Sequence, residues 1–299
     1  MGIKEINNAQ EELDRAIKIN TGEDWFEVTK LPNDVYSISE PGHWQHVISF
    51  LVLGSAKALL FDTGMGIGNI HKVVMKLTSL DIIVVNSHTH FDHIGDDWRF
   101  SEVYVYADDR AIERLKNGYD HDALSFDSNP DGFVKGYPLG FDPNKYAIQP
   151  VPESKIHRLY KGESIDLGNR KVEVLHTPGH TNDSITLFDR ENRALFTGDT
   201  FYPSRLFAFM NDDQGSSNLL VYEQTMKELA KLVPELDYLY PGHKKPLVDS
   251  KILEDVAGAF ESVNTGKIKF RLEELYFKTL RLYEFDGFSI VTLNEIGPT

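Results

Sequence analysis

Hydrophobic positions along this chain switch repeatedly between a helical period and a strand period. Residues 7–20 carry Ala9, Leu13, Ala16 and Ile17 at helical spacing, which predicts an N-terminal surface helix. Apolar runs at 34–39, 47–53 and 57–61 predict short strands, the last two joined through Gly54-Ser55 as a hairpin. A helix over 68–77, strands over 81–86 and 102–106 and a helix over 109–116 follow. The alternation then resumes with strands at 171–175, 184–188, 193–196 and 236–240 and helices at 218–232 and 250–262. Two final runs, 280–285 and 288–293, flank Asp286-Gly287, a strong two-residue hairpin signal. Strands interleaved with helices in both halves predict an α/β class with mixed sheets. Ala58 to Asp62 and Ala194 to Asp199 echo each other, each reading as a hairpin strand that ends in Asp, as in a fold of two related halves.

The pattern breaks at 117–153. Gly118, Gly132, Gly136 and Gly140 and five prolines interrupt it, with Tyr119, Phe126, Phe133, Tyr137, Phe141 and Tyr146 between them. A loop this long within a compact unit reads as a lid or binding insertion, and the aromatic residues argue against plain disorder. The expected organisation is one domain over 1–299, with this insertion and a C-terminal hairpin at 280–293.

Composition narrows the chemistry. The chain has 299 residues and no cysteine, so disulfides, thiolate metal ligands and a cysteine nucleophile are excluded. Lys plus Arg is 31 against 46 for Asp plus Glu, a formal charge of −15 that disfavours nucleic acid as a partner. The apolar runs are strand-sized and the N-terminus lacks a signal layout, so the expectation is a cytoplasmic protein with no membrane partner. A homo-oligomer remains open.

The densest chemistry is His88-Thr89-His90-Phe91-Asp92-His93, directly after the apolar run 81–86. Imidazoles and a carboxylate packed this closely need partners if buried and suit a divalent cation. The tip of a strand is also where open α/β sheets place their sites. Three other strand tips offer His180 in Thr177-Pro178-Gly179-His180, Asp199 in Thr197-Gly198-Asp199, and His243 in Pro241-Gly242-His243. Asp62, in Asp62-Thr63-Gly64, sits at another tip and reads equally as a helix cap. His43, His46, His71, His121 and His157 have no motif around them, and His176 reads as packing or as a support for a ligand; all six are taken as non-ligands.

In order and rough spacing, these pieces resemble the metallo-β-lactamase-fold hydrolase superfamily, from about residue 35 to 246. The resemblance implies an αββα four-layer sandwich of two mixed sheets flanked by helices, with the site at one edge. It implies that His88, His90 and His180 bind one metal, that Asp92, His93 and His243 bind a second, and that Asp199 bridges them. Asp62 would hold a ligand imidazole in its tautomer. Such N/O donors suit two Zn2+ ions first, with iron or manganese as alternatives.

The leading expectation is hydrolysis of an ester, thioester or lactone of a small molecule with an apolar acyl part. A metal-bound hydroxide would attack, and Asp92 would relay a proton. Tyr202, three residues after Asp199, resembles a tyrosine of the acyl-homoserine lactonases that points at the substrate carbonyl; a core tyrosine is the other reading. Segments 166–180 and 198–206 are similar to the acyl-coenzyme A thioesterase branch. Phe201, Leu206, Phe207, Phe209 and Met210 could wall an apolar pocket, or simply pack a helix onto the sheet; Arg205, Lys135, Lys244 and Lys245 could meet an anionic group, or be solvated surface charge. The alternatives are a phosphodiesterase or ribonuclease on the same site, and a mono-iron persulfide dioxygenase.

Overall fold

The computed structural model describes residues 9–209, 211–212, 215–275 and 278–294. The first half supplies α1 (Ala9–Arg15), β1 (Ile17–Ile19), β2 (Glu27–Leu31), β3 (Val35–Ser39), β4 (Ile48–Leu53), β5 (Lys57–Phe61), α2 (Ile70–Leu77), β6 (Asp81–Val85), β7 (Val103–Tyr106), α3 (Asp109–Asn117) and β8 (Ile156–Leu159). Its strands form one sheet in chain order, antiparallel from β1 to β5 and parallel from β5 to β8.

The second half supplies β9 (Ser164–Asp166), β10 (Lys171–His176), β11 (Ile185–Asp189), β12 (Ala194–Gly198), β13 (Arg205–Phe207), β14 (Asn211–Asp212), β15 (Gly215–Ser216), α4 (Leu219–Ala230), β16 (Tyr238–Pro241), β17 (Val248–Asp249), α5 (Ile252–Asn264), β18 (Arg271–Leu275), β19 (Lys278–Phe285) and β20 (Phe288–Leu293). Its main sheet runs β17-β16-β12-β11-β10-β9, and a smaller one runs β13-β20-β19-β18.

The inner strands are apolar on both faces because both faces are covered. In β4 and β5, Leu51, Ala58 and Leu60 pack with Ile70, Val73 and Val74 of α2 and Ala111, Ile112 and Leu115 of α3. Their alternates Phe50, Leu59 and Phe61 pack with Leu187, Phe196 and Tyr240 of the second sheet. That sheet turns Phe188, Leu195 and Leu239 toward α4 and α5. The result is the αββα sandwich. Local capping sets the helix ends: Asn69 accepts Lys72 N at 3.1 Å at the start of α2, and Gly118, at φ 67°, closes α3.

The predicted helix over 7–20 is shorter. Residues 7 and 8 lie outside the described residues, α1 ends at Arg15, and Ile17–Ile19 pairs with β2 instead. Tertiary pairing overrides a short amphipathic pattern there. The 280–293 hairpin forms as expected, with Phe285 opposite Phe288. Among the described residues no helix is long and apolar enough to cross a membrane.

The 117–153 stretch is mostly turns and short 3-10 segments, and it is tied to the 40–47 loop. Trp44 N donates to Gly132 O at 2.8 Å, and Val134 N to Gly42 O at 2.9 Å. Tyr146 Oη donates to Met65 O at 2.6 Å. Phe133 packs its ring against Trp25, His43, Tyr137 and Phe141.

Candidate metal centre

β6 delivers His88, His90, Asp92 and His93 into the loop at its end, and β12 delivers Asp199. β16 delivers His243, and the turn after β10 delivers His180. All seven are buried and meet at one rim of the two sheets. Three overlapping groups have donor atoms within 4.8 Å of one another and could hold a metal ion. They are His88, His90 and His180; His88, His93 and Asp199; and Asp92, His93 and His243.

The donor atoms converge closely. His90 Nδ1 lies 2.9 Å from His88 Nε2 and 3.1 Å from His180 Nε2. Asp92 Oδ2 lies 3.7 Å from His93 Nε2 and 3.6 Å from His243 Nε2. Asp199 spans the two sets, with Oδ2 3.5 Å from His180 Nε2 and Oδ1 3.0 Å from His243 Nε2 and 3.3 Å from His93 Nε2.

The outward nitrogens explain why the inward ones point as they do. His88 Nδ1 meets Ser87 Oγ at 2.9 Å, and His93 Nδ1 meets Asp62 Oδ2 at 2.8 Å. His180 Nδ1 meets Phe207 O at 3.1 Å, and His243 Nδ1 meets Gln45 O at 3.0 Å. A carbonyl or carboxylate can only accept, so the proton of each of the last three rings sits on Nδ1. Ser87 Oγ donates to Asp62 Oδ2 at 2.8 Å, so it accepts from His88 in the same way. Four imidazoles therefore turn an Nε2 lone pair into a common space. His93 Nε2 and Asp199 Oδ1 are buried there without a hydrogen bond of proper geometry. Orphaned atoms of this kind are costly unless something binds them, and a cation fits the donor set.

Electrostatics prepare the same state at His88, His90, His180 and Asp199, whereas His93 favours a proton that a bound cation would displace. Burial, helped by neighbouring imidazoles, holds His88 and His90 well below the usual imidazole range. Burial also lowers His180. Burial opposes charge on His93 too, but the carboxylates of Asp92, Asp199 and Asp62 outweigh it and hold this imidazole well above its usual value. Burial would raise Asp199, yet His243 and His93 hold it well below the ordinary carboxylate range. Neutral imidazoles and an ionised carboxylate are the forms that ligate metals.

The backbone is shaped for this convergence. Asp62 holds a left-handed φ of 66°; its Oδ1 accepts Ser87 N at 2.6 Å while Oδ2 takes Ser87 Oγ and His93. Gly198, at φ 48°, packs against Ser87, where a Cβ would lie 2.6 Å from Ser87 Oγ.

Other expected residues fall elsewhere. The ring of Tyr202 lies 4.8 Å from that of His243, and its hydroxyl donates to the carbonyl of Arg205, as a buried phenol takes a nearby acceptor. Phe201 and Leu206 pack in the core against α4 and α5 and wall no cleft; Phe209 packs with Leu280, Leu282 and Val291. Met210 lies outside the described residues. Arg205 pairs with Glu273 at 2.7 Å, and Lys244 Nζ donates to Trp44 O at 2.5 Å. Lys135 and Lys245 are exposed. None of the six histidines read as non-ligands joins the donor groups. His43 meets Asp127 O at 3.2 Å, His71 packs on Phe100, and His157 and His176 stack on Tyr104 and Tyr106.

Sequence reasoning missed the groups that hold these imidazoles, Ser87 and the carbonyls of Gln45 and Phe207, and the buried Glu40, Arg114 and Asp183 around them. Ser87 was within reach as the neighbour of His88. The carbonyls carry no side-chain signal at all.

A family model described as "Metallo-beta-lactamase superfamily" matches residues 42–243. The chain belongs to the metallo-beta-lactamase superfamily. It is a hydrolase of that superfamily. It is 28% identical over 235 residues to an "Acyl-coenzyme A thioesterase MBLAC2" of Gallus gallus, a match covering 74% of this chain and 81% of the relative. It is 28% identical over 203 residues to the "Probable metallo-hydrolase MJ0888" of Methanocaldococcus jannaschii, covering 65% and 86%. The metallo-beta-lactamase family protein TTHA1429 of Thermus thermophilus shares the fold, with a TM-score of 0.56 at 18% identity over 79% of this chain and 82% of that one.

Proposed function

We propose that this superfamily member hydrolyses a carboxylic ester-type bond of a small molecule, with a thioester first and esters and lactones next. The observation that carries the reading is the set of four imidazoles whose Nδ1 atoms are all engaged outside the cluster, so that each Nε2 turns into the space around Asp199. The likeness to an acyl-coenzyme A thioesterase supports the thioester as first choice.

His88 Nε2, His90 Nδ1 and His180 Nε2 would hold one divalent cation, Asp92, His93 and His243 a second, and Asp199 would lie between them. Zinc suits these N/O donors best. When bound, such a pair lowers the pKa of water and polarises a carbonyl oxygen. Asp62 fixes His93 in the tautomer that presents Nε2, and Ser87 does the same for His88. Water adds to the acyl carbon, the bond to sulfur or oxygen breaks, and Asp92 carries the proton from that water to the leaving group.

A substrate panel joined to a metal count tests this: p-nitrophenyl esters, acyl-coenzyme A, homoserine lactones and bis-p-nitrophenyl phosphate. Two ions per chain and turnover confined to the carbonyl compounds are expected, with Asp199→Ala and His88→Ala abolishing that turnover. Preference for the phosphodiester would replace the reading with the rival hydrolase, and one iron per chain would point to dioxygenase chemistry.

A further inference from the structure

The residue between the first two histidines, Thr89, is fully buried, and each of its polar groups is held by a side chain from elsewhere. Its backbone N donates to Asp183 Oδ2 at 2.9 Å, and its Oγ1 donates to the same oxygen at 2.8 Å. With its only proton given away, Oγ1 accepts from Arg114 Nη1 at 2.8 Å. Its carbonyl accepts from Tyr119 Oη at 3.1 Å. Arg114 comes from α3 and Tyr119 from the start of the insertion. Asp183 lies three residues after His180, in the same turn, where Thr181 and Ser184 bond each other at 2.7 Å.

A buried carboxylate and a buried guanidinium are expensive unless their hydrogen bonds repay the lost hydration. Here both converge on one hydroxyl, and the carboxylate joins two segments 94 residues apart. These segments carry His88, His90 and His180. Asp62 supports both groups, His88 through Ser87 and His93 directly, and Gln45 O holds His243, whereas the Asp183 carboxylate reaches only the Thr89 and His180 segments.

We infer that Asp183, Thr89 and Arg114 form a clamp that positions His88 and His90 against His180, and that it sets the affinity of this cation position selectively over that of Asp92, His93 and His243. The inference rests on the two-cation reading above. Without the clamp, His88 and His90 keep their donor atoms but lose the fixed turn that aims them at His180. Supporting contacts of this kind change metal affinity by roughly 10- to 100-fold.

The test is the zinc content of purified protein after dialysis against graded chelator. Thr89→Val removes the hydroxyl with little change in shape, Thr89→Ser retains it, and Asp183→Ala removes the acceptor. His243→Ala, which leaves only the first position intact, is made alone and with Thr89→Val. The wild type should hold two ions. Thr89→Val and Asp183→Ala should lose one of them at roughly 10- to 100-fold lower chelator, and Thr89→Ser should hold both. The double variant should lose its single ion where His243→Ala alone retains it. Loss of both ions together, or of neither, in folded Thr89→Val overturns the clamp. A wild type that binds no zinc overturns the two-cation reading first, and the clamp with it. Should Asp183→Ala fail to fold, the contrast between Val and Ser at 89 decides the matter alone.

Discussion

Replacing Glu40 by Gln tests whether one buried carboxyl sets the pH dependence of folding beneath the metal-binding rim. Glu40 is buried beside the 62–66 turn, where Oε1 accepts Met65 N at 2.8 Å and Oε2 accepts Trp25 Nε1 at 2.5 Å. Burial pushes its carboxyl from 4.5 up to about 7, against the pull of those two donors. The folded form thus binds a proton more tightly than the unfolded chain. The stability this gives is fully present below the ordinary glutamate value and is lost as pH rises toward and through 7. The span from 4.5 to about 7, at about 1.4 kcal/mol per pH unit, makes that loss on the order of 3 kcal/mol. Gln cannot ionise, but its amide cannot accept from both donors. The variant should therefore be about 1–3 kcal/mol less stable than the wild type near pH 5, with the gap closing or reversing by pH 8. Urea unfolding of both proteins from pH 5 to 8, at constant chelator, measures this. Asp127, also pushed up to about 7 by burial, should leave a residual slope of the same sign in both. Two stability curves that run parallel across the range would show that Glu40 is not the titrating group, and the argument would fail.

Tyr202→Phe should slow carbonyl substrates by up to about 100-fold while sparing phosphodiesters, if the hydroxyl leaves the Arg205 carbonyl to meet a developing oxyanion; equal rates on both classes would discard that role and leave the ring contact with His243. Gly198→Ala places a Cβ against Ser87 at a left-handed φ of 48°. It should cost about 2 kcal/mol or more and lower metal content, because Ser87 would be driven off Asp62 and His88. An unchanged melting temperature and an undiminished metal content would refute that.

The α/β class was readable because the inner strands are short apolar runs and the helices are amphipathic, whereas the four-layer sandwich came from the family resemblance. The Asp286-Gly287 hairpin was readable because a two-residue turn is a local matter. The N-terminal segment failed for the converse reason: Ala16 and Ile17 continue the helical spacing of Ala9 and Leu13, and only the presence of β2 makes residues 17–19 an edge strand. Phe201 and Leu206 failed in another way. Apolar identity marks a buried position but does not say whether the neighbour is a substrate or, as here, α4 and α5. Arg205 looked free to meet an anion because its partner, Glu273, lies far along the chain.

The converging side chains were legible and their supports were not, and the difference is one of distance along the chain. His93 makes the point. Its Nδ1 is held 2.8 Å from Asp62 Oδ2, and its Nε2 lies 3.3 Å from Asp199 Oδ1. The first carboxylate ends β5 in one sheet and the second follows β12 in the other, the two strands whose sequences echo each other. An imidazole can stand between them only if the sheets are locked in register. The lock is built from contacts no motif records: Ile185 N donates to Ser87 O at 2.8 Å, and Ile48 N to Gly242 O at 2.7 Å. Arg170, paired with Asp189 in the second sheet, donates to Asn33 O at 2.6 Å beside the first. The seven donors could be named from the sequence because their chemistry is their own. Their convergence belongs to these sheet-to-sheet bonds, and it is there that substitutions remote from any donor should disturb the centre.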